Sequence, residues 1–145
     1  MASTTAICSS FKTDLFSGIH SFDNAADVFR WALYTSTATN GASSTAYSAS
    51  NEITGTAYVA KGTTTANVSP ALDSTTAYVD WPDPTWASAS FTAASVLLFN
   101  DTVTTPTADP SAAVWDFAGD QTASGGDFVL QLPVADGTTG ILRLA

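Results

Sequence analysis

The chain has 145 residues, the length of one domain, and carries 4 Lys and Arg against 13 Asp and Glu, a formal charge of −9. Only 12% of residues are charged, whereas Thr, Ser and Ala number 23, 17 and 25. A pI near 4.1 with four scattered cations excludes a phosphate-gripping nucleic-acid surface, because counterion release needs clustered Lys or Arg. The longest apolar run, Val96–Phe99, is far short of the roughly 20 residues that span a bilayer.

The first element is a helix. Phe11, Leu15, Phe16 and Ile19 fall at i, i+4, i+5 and i+8, which predicts a short helix over 9–20. Ser9 or Ser10 would cap it, and Gly18 or the Ser21 region would end it. Cys8 is the only cysteine, so no intramolecular disulfide forms, and it reads as a small buried hydrophobe. Met1-Ala2-Ser3-Thr4-Thr5 lacks the basic and apolar regions of a signal peptide, so synthesis in a reducing cytosol is expected.

From Val28 the apolar period changes to two. Phe29, Trp31 and Leu33 point one way and Arg30, Ala32 and Tyr34 the other, the alternation of a half-buried strand. Residues 35–51 hold almost no large apolar group and read as a long loop. Strands are predicted at Thr54–Val59, Asn67–Leu72 and Ala77–Trp81, the last with Val79 and Trp81 inward. Trp81-Pro82-Asp83-Pro84 is a turn, since proline has no ladder donor. Phe91–Phe99 is the most apolar strand and is expected at the sheet centre. A loop over 101–110 with two prolines comes next. Ala113–Phe117 then sends Ala113, Trp115 and Phe117 inward. Gly125-Gly126 precedes a further strand, Asp127–Leu132, and Ile141–Leu144 closes the chain. Seven or eight short strands with turn signals between them predict a mainly β fold. We expect an antiparallel β-sandwich, jelly-roll-like, occupying residues 1–145 as a single domain with the N-terminal helix. Leu, Ile, Val and Phe number only 30, so the core should be lean and aromatic, with Ala and Thr filling its gaps.

The residues offer little chemistry. His20 is the only histidine, and no Gly-x-Ser-x-Gly elbow accompanies it, so it reads as structural or solvent-facing. One Cys and one His cannot make a zinc site. Asp80 and Asp83, and Asp116, Asp120 and Asp127, read as turn formers rather than calcium ligands, because Asp bonds the backbone two residues on. Carboxylate pairs of glycosidase type arise by accident in any acidic β fold. No Walker A and no Gly-x-Gly-x-x-Gly motif occurs. Trp31, Trp81, Trp86 and Trp115 form either a core or a sugar platform, with core favoured by their inward strand positions.

Three blocks carry a resemblance. Cys8-Ser9-Ser10-Phe11-Lys12-Thr13-Asp14-Leu15, Gly18-Ile19-His20-Ser21-Phe22 and Phe29-Arg30-Trp31-Ala32-Leu33-Tyr34-Thr35-Ser36 resemble the opening of a family of small virion structural proteins of tailed bacteriophages. Asn51-Glu52-Ile53-Thr54-Gly55-Thr56-Ala57-Tyr58 is similar to that family's Asn-Glu-Val-x-Gly-x-Gly-Tyr stretch. Asp80-Trp81, Trp86, Trp115-Asp116-Phe117 and the ending Ile141-Leu142-Arg143-Leu144-Ala145 keep the family order. The chain departs at Ala57, where Gly is expected, at Lys61-Gly62 in place of Gly-Gly, and at Ala94-Ser95 in place of Arg-Gly.

The resemblance implies a non-enzymatic phage particle component without cofactor or metal. Its first implication is a capsid decoration (cement) protein on the capsid surface, a homotrimer bound to the major capsid protein, with no nucleic-acid or membrane partner. A tail or fibre module that binds carbohydrate or a receptor is the alternative. Contact candidates are Asn40 and Tyr47 in the first long loop, Pro82, Asp83 and Pro84 in the proline turn, and Thr105 and Pro106 in the later loop.

Overall fold

Aromatics alternating with small residues favour antiparallel ladders, because each side chain then packs against a cross-strand neighbour. The computed structural model describes residues 2–23 and 26–145 and is mainly β. In chain order its elements are β1 (Ala6–Ile7), α1 (Ser9–Phe16), β2 (Phe29–Tyr34), β3 (Thr63–Thr64), β4 (Ala71–Asp73), β5 (Thr76–Val79), β6 (Thr85–Asn100), β7 (Ser111–Val129) and β8 (Leu142–Leu144). They form two antiparallel sheets, one of order β1-β7-β6-β2-β3 and one of order β4-β5-β8. The segment Phe91–Phe99 is central, as its apolarity predicts: β6 pairs with β2 from Phe29↔Asn100 to Tyr34↔Ser95, and with β7 on its other side.

An aromatic layer joins the sheets. Phe29 and Trp31 of β2 meet the Trp81 indole edge-on, with centroids 5.3 and 5.9 Å apart, and Phe22 stacks on Phe29 at 4.9 Å. Trp81 comes just after β5, so it carries the smaller sheet onto the larger one. Val79 and Leu142 belong to the same buried cluster. A second aromatic group, Tyr58, Trp86, Phe91 and Phe128, packs along the far half of the β6–β7 ribbon. The gaps are filled by Ala32, Ala89, Ala93, Ala112 and Ala113, all buried. Threonine does not join them: no Thr is buried, because its hydroxyl would need a partner in the core.

Several expected boundaries move. The helix ends at Phe16 rather than near residue 20, because Gly18 adopts φ +67 and Ser17 closes the last turn. Cys8, not Ser9 or Ser10, occupies its N-cap, with no side-chain cap bond. The expected apolar stripe splits: at about 100° per residue Phe16 lies roughly 140° from Phe11, and Phe11 is buried while Phe16 is 97% exposed. β2 is buried on both faces rather than one, since the loop after it folds back over its second face. Thr54–Val59 is not a strand; among the described residues its one ladder pairing is the isolated Thr56↔Ser90 bridge. Asn67–Leu72 and Ala77–Trp81 shrink to β4 and β5.

The largest difference concerns β7. Ala113–Phe117 and the segment after Gly125-Gly126 are one strand of 19 residues. Between Asp116 and Gln121 the register shifts, with Ala118 at φ +58 and Gly119 at +145. Gly125, at φ +79, is skipped between the Ser90↔Ser124 and Ala89↔Gly126 pairs. The glycine that reads as a turn is thus a bulge inside a continuing ladder.

Trp81→Ala should cost about 3–5 kcal/mol of unfolding free energy by urea titration, because the aromatic layer would lose its connecting indole. Phe16→Ser should change it by no more than about 0.5 kcal/mol.

Candidate functional site

The contact candidates of the first long loop lie in a segment that contains one acid and one cation, Glu52 and Lys61. Glu52 accepts three hydrogen bonds, from the Tyr47 hydroxyl at 2.5 Å, the Tyr58 hydroxyl at 2.6 Å and the Lys61 backbone N–H at 2.7 Å. The Tyr58 hydroxyl also accepts from the Leu33 N–H of β2 at 2.9 Å. Burial, reinforced by the bond to Glu52, pushes both phenols above their ordinary range, so they remain donors. The Lys61 ammonium donates to Asp101 and Asp109, each at 2.8 Å, and Arg30 donates to Asp101 at 2.7 Å. This set stitches the first loop, β2 and the loop over 101–110 into one unit.

Burial alone would raise the Asp101 carboxyl. The Lys61 and Arg30 hydrogen bonds and charges outweigh it and hold the carboxyl below its ordinary value.

The backbone here is under steric constraint. Asn51, Ala57 and Lys61 have φ of 62, 69 and 71°. Gly62 has φ +70, and a Cβ there would lie 1.8 Å from the Trp31 carbonyl oxygen, so no other residue fits. Gly55 is likewise closed off, by the Ser90 carbonyl at 2.5 Å.

These placements sort the contact candidates. The Tyr47 ring stacks on Phe99 at 4.8 Å and its hydroxyl is held by Glu52. The Asn40 carbonyl accepts the Thr4 N–H at 2.8 Å and fixes the N-terminal segment. Pro84 is buried, and its carbonyl accepts from Leu130 N–H. These three residues are engaged within the chain. Pro82, Asp83, Thr105 and Pro106 are exposed. They sit at opposite ends of the sixteen-residue strand β6, so the structure does not bring them together.

The surface that sequence reading missed is the outer half of the β6–β7 ribbon. On one face Ser90 pairs with Ser124 and Thr92 with Thr122, all exposed. The two threonine hydroxyls are 2.8 Å apart, and Gly125 N–H donates to Ser90 Oγ at 3.0 Å. Exposed Ala87 and Ser88 adjoin this face, and Asp127, whose carboxylate accepts from Ser88 N–H at 2.9 Å, brings one charge beside it. Reading Gly125-Gly126 as a turn hid it, because the cross-strand pairs exist only if the strand continues. From Phe117 to Val129 the outer edge of β7 has no strand partner among the described residues. Bulges and the charges of Asp120 and Asp127 guard that edge against strand addition.

The remaining chemistry is internal. His20 is buried rather than solvent-facing. Asn100 Oδ1 accepts from Thr102 N–H, so its Nδ2 donates to Asp27 and to His20 Nδ1. The imidazole is therefore an acceptor at Nδ1, and burial lowers its pKa against the opposing charges of Asp14 and Asp27. Cys8 is fully buried, and burial pushes its thiol up to about 11. Trp81 and Trp86 are each 4% exposed, so neither offers an indole face to a sugar. The acids read as turn formers act differently: Asp83 and Asp127 accept from the Leu132 and Ser88 N–H groups of distant segments, and Asp80 accepts from the adjacent Trp81 N–H. Among the described residues no group of three His, Cys, Asp or Glu side chains is placed to hold a metal, and no helix is long and apolar enough to cross a membrane. Comparisons of the chain with protein-family models, curated proteins and solved structures found no match.

Two outcomes test the loop unit. Ala57→Gly should stabilise the protein by about 0.5–1 kcal/mol in urea titration, since the left-handed penalty of an L-residue exceeds the added chain entropy of glycine. Asp101→Asn should lower the urea midpoint at pH 7. A carboxyl depressed by folding stabilises above its ordinary pKa and loses that contribution as pH falls. The two midpoints should therefore converge below about pH 4.

Proposed function

We propose that this protein is a structural component of a tailed-bacteriophage virion, a capsid decoration (cement) protein that binds the major capsid protein lattice as a homotrimer and stabilises the head. The reading starts from the residue resemblance. One structural observation carries it. At Ala57 and Lys61, two positions where the chain departs from an expected glycine, the backbone has φ of 69 and 71°. Glycine adopts such conformations freely and other residues rarely do. Gly55 and Gly62, where the chain keeps glycine, are closed to any side chain. Ser95, the third position where glycine is expected, has no positive φ, so this support comes from Ala57 and Lys61.

The action is adhesive. The uncharged face around Ser90, Thr92, Thr122 and Ser124 can be covered without stripping water from charges, which lowers the cost of burying it against a partner. A protein that binds an assembled shell and not its free subunits stabilises the shell by mass action. The −9 charge suits a position away from nucleic acid.

Co-sedimentation with purified capsids and with free capsid subunits tests this. The protein should pellet with shells only, raise their disruption temperature, and appear by cryo-EM as an array over the whole head. A few copies per particle, or equal binding to free subunits, would refute lattice decoration.

A further inference from the structure

All four cations of the chain have described positions, and they divide into two pairs. Arg30 and Lys61 are engaged with Asp101 and Asp109. Lys12 and Arg143 make no ion pair among the described residues, and both line one apolar cavity of about 380 Å³. Its floor is Phe11, Phe22, Val79 and Leu142, so it lies between α1 and the three-stranded sheet. Lys12 comes from the helix and Arg143 from β8, and both are exposed. Arg143 also donates to the Thr138 carbonyl and lies close enough to Asp136 to help lower that carboxyl. Asp136 is itself occupied by the backbone N–H groups of Thr138 and Thr139. The guanidinium is therefore oriented but not neutralised by a direct pair.

In a chain of net charge −9, placing the two unpaired cations on the rim of an apolar cavity creates a local preference opposite to that of the whole surface. The geometry points to a binding site for a single-chain amphipathic anion, an alkyl chain ending in a carboxylate or phosphate. At about 30 Å³ for each methylene-sized group, the cavity of about 380 Å³ accepts a chain of up to roughly twelve carbons. Each methylene buried adds a transfer gain, while Lys12 and Arg143 hold the head group at the mouth. Binding sites of this size are commonly apolar with a few polar groups that fix orientation. The inference stands independently of the capsid reading.

Sodium decanoate and decyl phosphate, each kept below its micelle concentration, are the probes, measured by isothermal titration calorimetry. Decyltrimethylammonium is the opposite-charge control. Saturable 1:1 binding of at least one anion is expected, about tenfold or more tighter than the cation. Nonspecific attraction to a −9 protein would favour the cation, so the sign of the preference reports the site itself. Lys12→Gln and Arg143→Gln should each weaken anion binding about fivefold, and together about twentyfold. Ala77→Phe, which fills the cavity, should abolish it, with thermal unfolding confirming that each variant folds. Binding of carboxylate but not phosphate, or the reverse, would identify the head group. Equal affinity for both charges, no saturable binding, or affinity unchanged in the double variant would overturn the proposal. So would binding that disappears as protein concentration rises and returns in Phe16→Ser, because a second copy would then be covering the cavity.

Discussion

Glu52 is the sole glutamate of the chain, and its carboxylate settles how residues 35–62 lie on the sheet. That segment cannot be held by apolar burial, since Ala38 and Ile53 are its only buried hydrophobic side chains. It must nevertheless cover one face of β2, or the Tyr34 and Ala32 face would meet water. A carboxylate with three donors, two of them phenols that burial keeps protonated, supplies charge-assisted bonds where hydrophobic contact is scarce. Tyr58 passes the constraint on, because its hydroxyl both donates to Glu52 and accepts from the β2 backbone. Ile53 N–H adds a bond to the Leu33 carbonyl, and Tyr34 reaches the Ser48 carbonyl at 2.7 Å.

The larger sheet is thereby covered on its two faces by unlike materials. On one side lie the aromatic layer of Phe29, Trp31 and Trp81 and the smaller sheet. On the other lies a polar loop whose cation, Lys61, reaches across to Asp101 and Asp109. Backbone must run close to backbone for this, as Gly62 against the Trp31 carbonyl and Gly55 against Ser90 demonstrate. Buried alanines make room for it in the strands. Seven of the 25 alanines serve the core, while more of them join Ser and Thr on the small uncharged surface.

The sequence made the ladders legible where the pattern is local. Alternation at Phe29–Tyr34, the apolar run through Phe99 and the inward Val79 and Trp81 all rest on neighbours two residues apart. The covering of β2 and the bulges in β7 were not legible, because each depends on residues far along the chain, whereas the exposure of Phe16 follows from its angle to Phe11 on the helix. Gly125 illustrates the difficulty: a left-handed glycine looks the same in a turn and in a bulge, and only the pairing with Ser90 and Ala89 decides. Tyr47 shows the same dependence on a distant residue, Phe99. Tyr47 reads as a loop aromatic free to touch a partner, yet Phe99 and Glu52, which its neighbours in sequence do not announce, claim it. The uncharged ribbon face was illegible until the strand was known to be continuous.

Charge is used sparingly, and its placement separates inward from outward duties. Two cations and Glu52 hold the loop unit, Asp136 caps a turn, and Asp73, Asp83 and Asp127 accept from backbone N–H groups of distant segments, so these charges serve the fold. Asp120 and Asp127 stand on the open strand edge, where repulsion between copies opposes runaway pairing. Ser90, Thr92, Thr122 and Ser124 carry no charge, while Asp127 bonds the adjoining Ser88 N–H. A face of that kind gains little from salt-dependent attraction and loses little on desolvation, so contact there is governed by shape.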